Sequence, residues 1–340
     1  DFKINKIQME NLDYKIFNNL DAEIESIWKS FEKESHNFIF QKYDFIKDYT
    51  INRKSQYFYI VIYLKKKVIC ILPLEIKNKF SLKILCWVGS KEFDYCGPLI
   101  TDFDKIGISQ KDFKYIWSNI LKKIGNFDIV YLDKQKDKFD LIINPFHRYL
   151  QSDFHSYTYS IQLPENIDNY FEGIEDKKFK GEFLRTEKKL SNEHVVEIKN
   201  IQKEEQSFKP SDIIRQKIKS LEKNNKKHFL DSDLMNKFDK FYSNHKDIVK
   251  LSTLKLNQHL VAANLGFIYK KTFYYFMPII YDDTYNKFSP GKVVISFLIK
   301  YAISEKIKEF DFGLGDEKYK SYWSNRKNKL NRHLDYKTFK

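Results

Sequence analysis

The residues whose types and spacing could do chemistry cluster between positions 281 and 323, in YDDTYNKFSPGKVVISFLIKYAISEKIKEFDFGLGDEKYKSYW. Tyr285-Asn286-Lys287-Phe288-Ser289-Pro290-Gly291-Lys292 has no sustained periodicity, and its Pro-Gly pair stands directly before an apolar run. The pattern predicts a helix starting near Pro290 or Gly291. Ser289 would be its N-cap, and Pro290 would sit in the first turn, where an absent N–H costs no intrahelical bond. The unpaired N–H groups and positive end of such a helix favour a phosphate, Lys287 and Lys292 add full charges, and Gly291 lets backbone approach a ligand closely. A loop that does nothing but start a helix looks the same, so the motif alone marks only a candidate anion site.

Supporting elements follow from the periodicity around this loop. Residues 292–305 are apolar on most faces and read as a buried helix. Residues 309–312 read as a short strand ending in Gly313-Leu314-Gly315. Upstream, residues 249–256, 260–269 and 273–281 are strand-like runs, preceded by helices at 167–174, 179–190, 211–221 and 231–244 and strands at 157–163 and 195–198. The first half has helices at 22–31 and 111–124 and strands at 56–64, 68–75, 81–88 and 127–132. Asn144-Pro145 and the polar stretch to Ser156 suggest a boundary, giving domains at 1–150 and 151–340. Both halves end alike: Lys123-Ile124-Gly125-Asn126-Phe127-Asp128-Ile129 and Lys306-Ile307-Lys308-Glu309-Phe310-Asp311-Phe312 each close a helix and open a strand. A duplicated α/β domain is the expectation, with the S-P-G-K loop only in the second copy.

The run S-P-G-K, an apolar helix, F-D-F-G-L-G and D-E-K-Y-K-S-Y-W resembles the carboxyl-terminal half of the CelD-like acetyltransferases of cellulose biosynthesis, within the GNAT superfamily. FemAB-type aminoacyltransferases are structural relatives of that family. The resemblance extends to Ile71-Leu72-Pro73-Leu74, to Val88-Gly89, Asp94-Tyr95 and Gly97-Pro98, and to the basic run 183–190. It implies an α/β fold of tandem duplicated GNAT-like domains, each a mixed, mostly antiparallel sheet flanked by helices. The second domain would bind acetyl-CoA or another acyl-CoA, and the first, degenerate one would support the acceptor. By the same resemblance, the strand before the loop splays from its neighbour, Met277, Ile279 and Ile280 line the cofactor, and the amides of Ser289, Pro290 (as loop backbone), Gly291 and Lys292, with Lys287, take the pyrophosphate.

Acyl transfer needs an acceptor nucleophile, a route for its proton and stabilisation of an oxyanion. Asp282 and Asp283 end the cofactor strand and are candidate bases, or simple strand terminators. Asp316, Glu317, Tyr319 and Lys320 follow the glycine-rich turn. Lys320 is the candidate for binding an acceptor phosphate or the oxyanion, against the alternative of an exposed lysine on a basic tail. Asp94 and Tyr95 are candidate acceptor ligands, or turn-capping and packing residues. Arg185, with Lys180, Lys188 and Lys189, forms a basic helical face that could grip a nucleotide-sugar or RNA, or be solvated.

Composition bounds the rest. The chain has 340 residues, 42% of them hydrophobic, enough for two cores. A formal net charge of +14 invites an anionic partner. Lys, Ile, Asn, Phe and Tyr abound together, however, as AT-rich codons dictate, so only local clusters of charge count. Cys70, Cys86 and Cys96 lack zinc or redox spacing and read as buried thiols. No metal site, Walker loop or Ser-His-Asp order is present, and DNA is not an expected partner. The apolar runs 57–64 and 293–299 are too short to cross a bilayer, no charged leader with an apolar core follows Asp1, and no disulfide framework is required, so a cytoplasmic enzyme is expected. The expected activity is transfer of an acetyl or other small acyl group to an amine or hydroxyl of a sugar, nucleotide-sugar or related small acceptor in surface-polysaccharide synthesis. The alternatives are a FemAB-like transferase using aminoacyl-tRNA and a non-catalytic binding protein that keeps the fold.

Overall fold

The computed structural model describes residues 11–139, 141–201 and 208–336. The chain folds as two compact units, one running to Tyr157 and including the residues from Lys329 onward, the other Thr158–Asn328. The sequence division near residue 150 leaves the closing strand in the second half, whereas in the fold most of that strand belongs to the first unit.

In the first unit, strands β1 (Leu12–Phe17), β2 (Gln56–Leu64), β3 (Lys67–Lys79) and β4 (Leu82–Trp87) are antiparallel neighbours in order. The two-residue β5 (Leu99–Ile100) lies beside β3. Strand β6 (Ile129–Lys136) runs parallel to β4 through only two pairs, Ile84 with Ile129 and Leu85 with Val130. The closing strand of the chain, Arg326–Tyr336, then pairs antiparallel with β6. A small hairpin follows β6, made of β7 (Lys138–Phe139) and β8 (Ile142–Ile143). Helix α1 (Ala22–Glu34) starts where Asp21 accepts from the Glu23 and Ile24 amides, and its Trp28 packs edge-on against Tyr43 and Tyr59. Tyr43 opens α2 (Tyr43–Thr50), a helix the sequence pattern does not announce. Helix α3 (Gln110–Ile124) begins at a Ser109–Asp112 capping box and leads into β6, and the short α4 (Pro145–Tyr149) carries Phe146 against Trp87 and Trp117.

The second unit repeats the plan. Strand β9 (Asp153–Gln162) precedes helices α5 (Ile167–Gly173) and α6 (Lys177–Glu193) and the edge strand β10 (Val196–Asn200). Helices α7 (Pro210–Lys223) and α8 (Ser232–Asn244) follow. Then come the antiparallel strands β11 (Val249–Leu256), β12 (His259–Tyr269) and β13 (Thr272–Ile280). The turns between them are two-residue links, Asn257-Gln258 and Lys270-Lys271, with φ of 50°, 68°, 46° and 62°. That left-handed pair matches the twist of a hairpin, although glycine, the residue suited to it, is absent. Helix α9 (Pro290–Ser304) buries Val293, Val294, Ile295, Leu298 and Ile299 against β11, β12 and β13. Strand β14 (Glu309–Leu314) lies parallel to β13 and antiparallel to β9, and α10 (Lys318–Trp323) follows it. Arg326–Tyr336, already met beside β6, is β15.

Each unit therefore has hairpin strands, a helix, and a parallel pair whose second strand is flanked by an antiparallel strand from elsewhere in the chain. Among the described residues no helix is long and apolar enough to cross a membrane. The three cysteines are buried and unpaired.

Candidate active site

The site is built where β13 and β14 part. They share three register pairs, Thr272 with Glu309, Phe273 with Phe310 and Tyr274 with Asp311, and none beyond. Phe276 is the extra residue of a bulge on β13, since Leu265 faces Met277 while Gly266 faces Tyr275. Beyond the bulge β13 keeps only its antiparallel partner β12, so the side turned toward β14 opens as a wedge.

At the far end of β13 the chain makes a 3₁₀ turn, Asp283–Phe288, and runs straight into α9. Ser289 stands at the N-cap position, as the sequence suggests, but caps differently. Its N–H donates to Asn286 at 2.9 Å, which drives it left-handed (φ 50°, ψ 57°), and its side chain makes no capping bond. Its carbonyl instead accepts from the Lys292 and Val293 amides at 2.9 and 3.3 Å. Gly291, next after Pro290, has no intramolecular partner for its N–H among the described residues. A Cβ there would lie 3.7 Å from Ile280 Cδ1, ordinary contact distance, so the loop touches the end of β13 and leaves room above it.

Positive charge gathers around this junction. The ammonium groups of Lys287 and Lys189 lie 4.7 and 6.0 Å from the buried Phe288 ring, and that of Lys292 lies 5.2 Å from the Phe179 ring. Lys189 comes from α6, so one residue of the basic helical face reaches the loop. Arg185 does not: it is exposed and donates to Gly181 of its own helix. Of the residues read as lining a cofactor, Met277 and Ile279 are buried on one face of β13, and Ile280 points to the other, the face of Gly291.

The carboxylates are committed to local work. Asp282 accepts from the Thr284 hydroxyl and amide at 2.6 and 2.9 Å and lies 3.0 Å from the His259 ring, and these partners, Thr284 foremost, hold its pKa below the usual range. Asp283 pairs on the surface with Lys223. Asp316 accepts from the Tyr159 hydroxyl and pairs with Lys327 at 3.1 Å, which likewise lowers its pKa. A carboxylate so stabilised in its charged form is a weak base.

The glycine-rich turn after β14 rests on Lys320. Its ammonium, only 4% exposed, donates to the Leu314 carbonyl at 2.7 Å and pairs with Glu317 at 2.9 Å. Gly315, at φ +118°, is packed so that an added Cβ would strike the Glu317 carboxylate. The Tyr319 ring meets Phe312 of β14 edge-on at 6.4 Å. Sequence reasoning passed over Lys217 of α7. Burial pushes its ammonium pKa down, with Lys226 and Lys320 adding to the effect and Glu317 opposing it. Nor did it pair Tyr159 with Asp316, residues too far apart for spacing to connect.

In the first unit, Tyr95 is 1% exposed, packed 5.3 Å from Phe38 with the Lys136 ammonium 4.5 Å from its ring. Its neighbour Asp94 is half-buried. Among the described residues no three His, Cys, Asp or Glu side chains group to hold a metal.

Comparison with known proteins bears on both units. Residues 177–321, from α6 into α10, match the family described as the acetyltransferase (GNAT) domain. No curated protein sequence matches the chain. Among solved structures, FemX is similar in fold at a TM-score of 0.59 and 10% identity, over 93% of this chain and 96% of FemX. L-PGS from Bacillus licheniformis aligns at 0.53 and 9% identity, over 92% of this chain and 91% of that one. A tandem GNAT protein from the clavulanic acid biosynthesis pathway aligns at 0.52 and 7% identity, over 95% and 98%. At such identities the likeness is one of fold. Together with the repeated strand plan, it makes the molecule a duplicated fold of the GNAT type, and the stretch that matches the GNAT acetyltransferase family lies in its second unit.

Proposed function

We propose that this protein is an acyl-CoA-dependent acyltransferase that moves an acetyl or other small acyl group to an amine or hydroxyl of a sugar, nucleotide-sugar or related small acceptor. One observation carries the reading: β13 and β14 part after three residues, and the open end of β13 meets the partnerless Gly291 amide at the start of a buried helix. An extended pantetheine arm can pair with β13 in the wedge, while the helix start and Lys189, Lys287 and Lys292 take the pyrophosphate. The coenzyme supplies a thioester. The acceptor nucleophile attacks its carbonyl carbon, the C–S bond breaks, the acceptor loses a proton and the thiol leaves carrying one.

In this scheme Asp282 and Asp316 are too strongly held as anions to serve as efficient bases, and Lys320 and Glu317 brace the turn. Tyr319, beside the open end of β14, is the side chain best suited to protonate the leaving thiolate. The first unit is the supporting, degenerate copy, and a CelD-like role in surface-polysaccharide synthesis fits an acceptor of this class.

Calorimetric titration of coenzyme A and acetyl-CoA into wild type and a Gly291→Asp variant tests the reading. The variant has room for its side chain, and its carboxylate should repel the pyrophosphate. Binding by the wild type that the folded variant loses is the expected result. A folded wild type that binds neither ligand at millimolar concentration would sink the acyl-CoA reading and move aminoacyl-tRNA-dependent transfer and a non-catalytic role ahead.

A further inference from the structure

The second unit contains a cavity of about 590 Å³ that the chemistry above does not use. Its volume lies within the roughly 300–1,000 Å³ of small-molecule sites. Its walls are braced without a ligand. The Tyr170 hydroxyl donates to the Trp323 carbonyl at 2.8 Å, and Asn325 exchanges two hydrogen bonds with the Gln162 backbone at 2.9 and 3.2 Å. The Tyr322 ring stacks on Phe179 at 5.0 Å.

The lining chemistry selects a class of ligand. Tyr159, Tyr170, Tyr322 and Trp323 offer aromatic surface. Of the two lining cations, Lys327 is paired with Asp316, while Arg326 donates to the neutral Gln162 side-chain oxygen and keeps its charge, and Asp176 caps α6 through the Phe179 amide. Lining groups left without a hydrogen bond to the described residues include the Glu175 carboxylate, the Asn169 side-chain amide, the Tyr322 hydroxyl and the buried Trp323 Nε1. With Lys327 neutralised by Asp316, the Glu175 and Asp176 carboxylates outnumber the remaining Arg326 cation, which disfavours phosphate and favours hydroxyl or ammonium donors. Aromatic walls favour a ring with an apolar C–H face. We propose that this cavity binds a saccharide, and an amino sugar in preference to a neutral one.

The site is linked to the anion loop by contact, because Lys292 lies 5.2 Å from the Phe179 ring on which Tyr322 stacks. Only the further step of calling the bound sugar the acyl acceptor rests on the proposed transferase activity. Saccharide binding itself is independent of it.

The test is saturation-transfer NMR on the full chain with glucosamine, N-acetylglucosamine and glucose, each at millimolar concentration and with no acyl donor. The wild type should saturate the sugar ring protons, with glucosamine bound most tightly. Glu175→Gln should weaken glucosamine roughly tenfold or more and bring it level with glucose, and Asn169→Ala should weaken all three sugars. Both positions are exposed, so both variants should keep their fold. Added coenzyme A should leave the sugar signals in place. Absence of transfer from every sugar to a folded wild type would overturn the proposal. So would transfer unchanged in both variants, or displacement of the sugars by coenzyme A with variants that lose the coenzyme instead. Because coenzyme binding is titrated separately, failure here is distinguishable from failure of the transferase reading.

Discussion

The ammonium of Lys320 lies 2.7 Å from the carbonyl oxygen of Leu314, beneath the turn that ends β14. A buried lysine in that position holds backbone. Lys320→Met would leave the Leu314 carbonyl without its donor, while the exposed Glu317 returns to solvent, so it should cost about 1–3 kcal/mol of stability, read as a lower urea midpoint. An unchanged midpoint with lost turnover would instead give Lys320 a chemical role.

Lys189 reaches the anion loop from α6 and pairs there with Glu193 at 3.7 Å. If the loop holds a pyrophosphate, Lys189→Glu should weaken coenzyme A roughly tenfold at low salt, and the loss should shrink as salt screens the charge. Titrations at two ionic strengths decide it. An affinity that does not move at either would remove Lys189 from the site.

Asp133 of β6 is 7% exposed with one carboxylate oxygen lacking a partner, and burial, the largest influence, raises its pKa. The folded protein therefore holds this proton more tightly than the unfolded chain does. Its penalty is absent below the unfolded pKa of about 4, grows as pH rises toward the folded value, and then stays constant. Asp133→Asn should be more stable than wild type at neutral pH and equal to it in acid. Urea unfolding from acid to neutral pH checks the sign.

The Lys270-Lys271 link puts two β-carbon-bearing residues in the left-handed region, at φ 46° and 62°. Replacing the pair by Asn-Gly should stabilise the second unit by about 1 kcal/mol or more. A thermal midpoint that fails to rise would show that the twist of β12 and β13 already relieves the strain.

Much of this fold could be read in advance because hydrophobic periodicity reports burial. The strands over 249–281 and the helix from Pro290 match the sequence reading within a residue or two. So does α3, observed as Gln110–Ile124. Elements held by other means were missed. Helix α2 is only eight residues long, too short for its apolar spacing to stand out, and the Asp283–Phe288 turn is stabilised by the cap at Asp282 rather than by apolar spacing. β15 is largely polar, so backbone pairing such as its ladder to β6, rather than apolar spacing, makes it a strand. The wedge was legible only through the family resemblance, because the parting of two strands leaves no mark on either one. Lys320 reads in the sequence as a candidate phosphate or oxyanion ligand, with an exposed tail lysine as the alternative, and neither reading contains its burial, because that depends on a turn folding over it.

The position of Arg326–Tyr336 beside β6 has a consequence for synthesis on the ribosome. Strand β6 is made early, but its antiparallel partner emerges only after the whole second unit. Until then the growing polypeptide carries a sheet margin open to pairing with strangers, a recognised route to misassembly. Of the two units, the one translated earlier is thus sealed only after the other has been made.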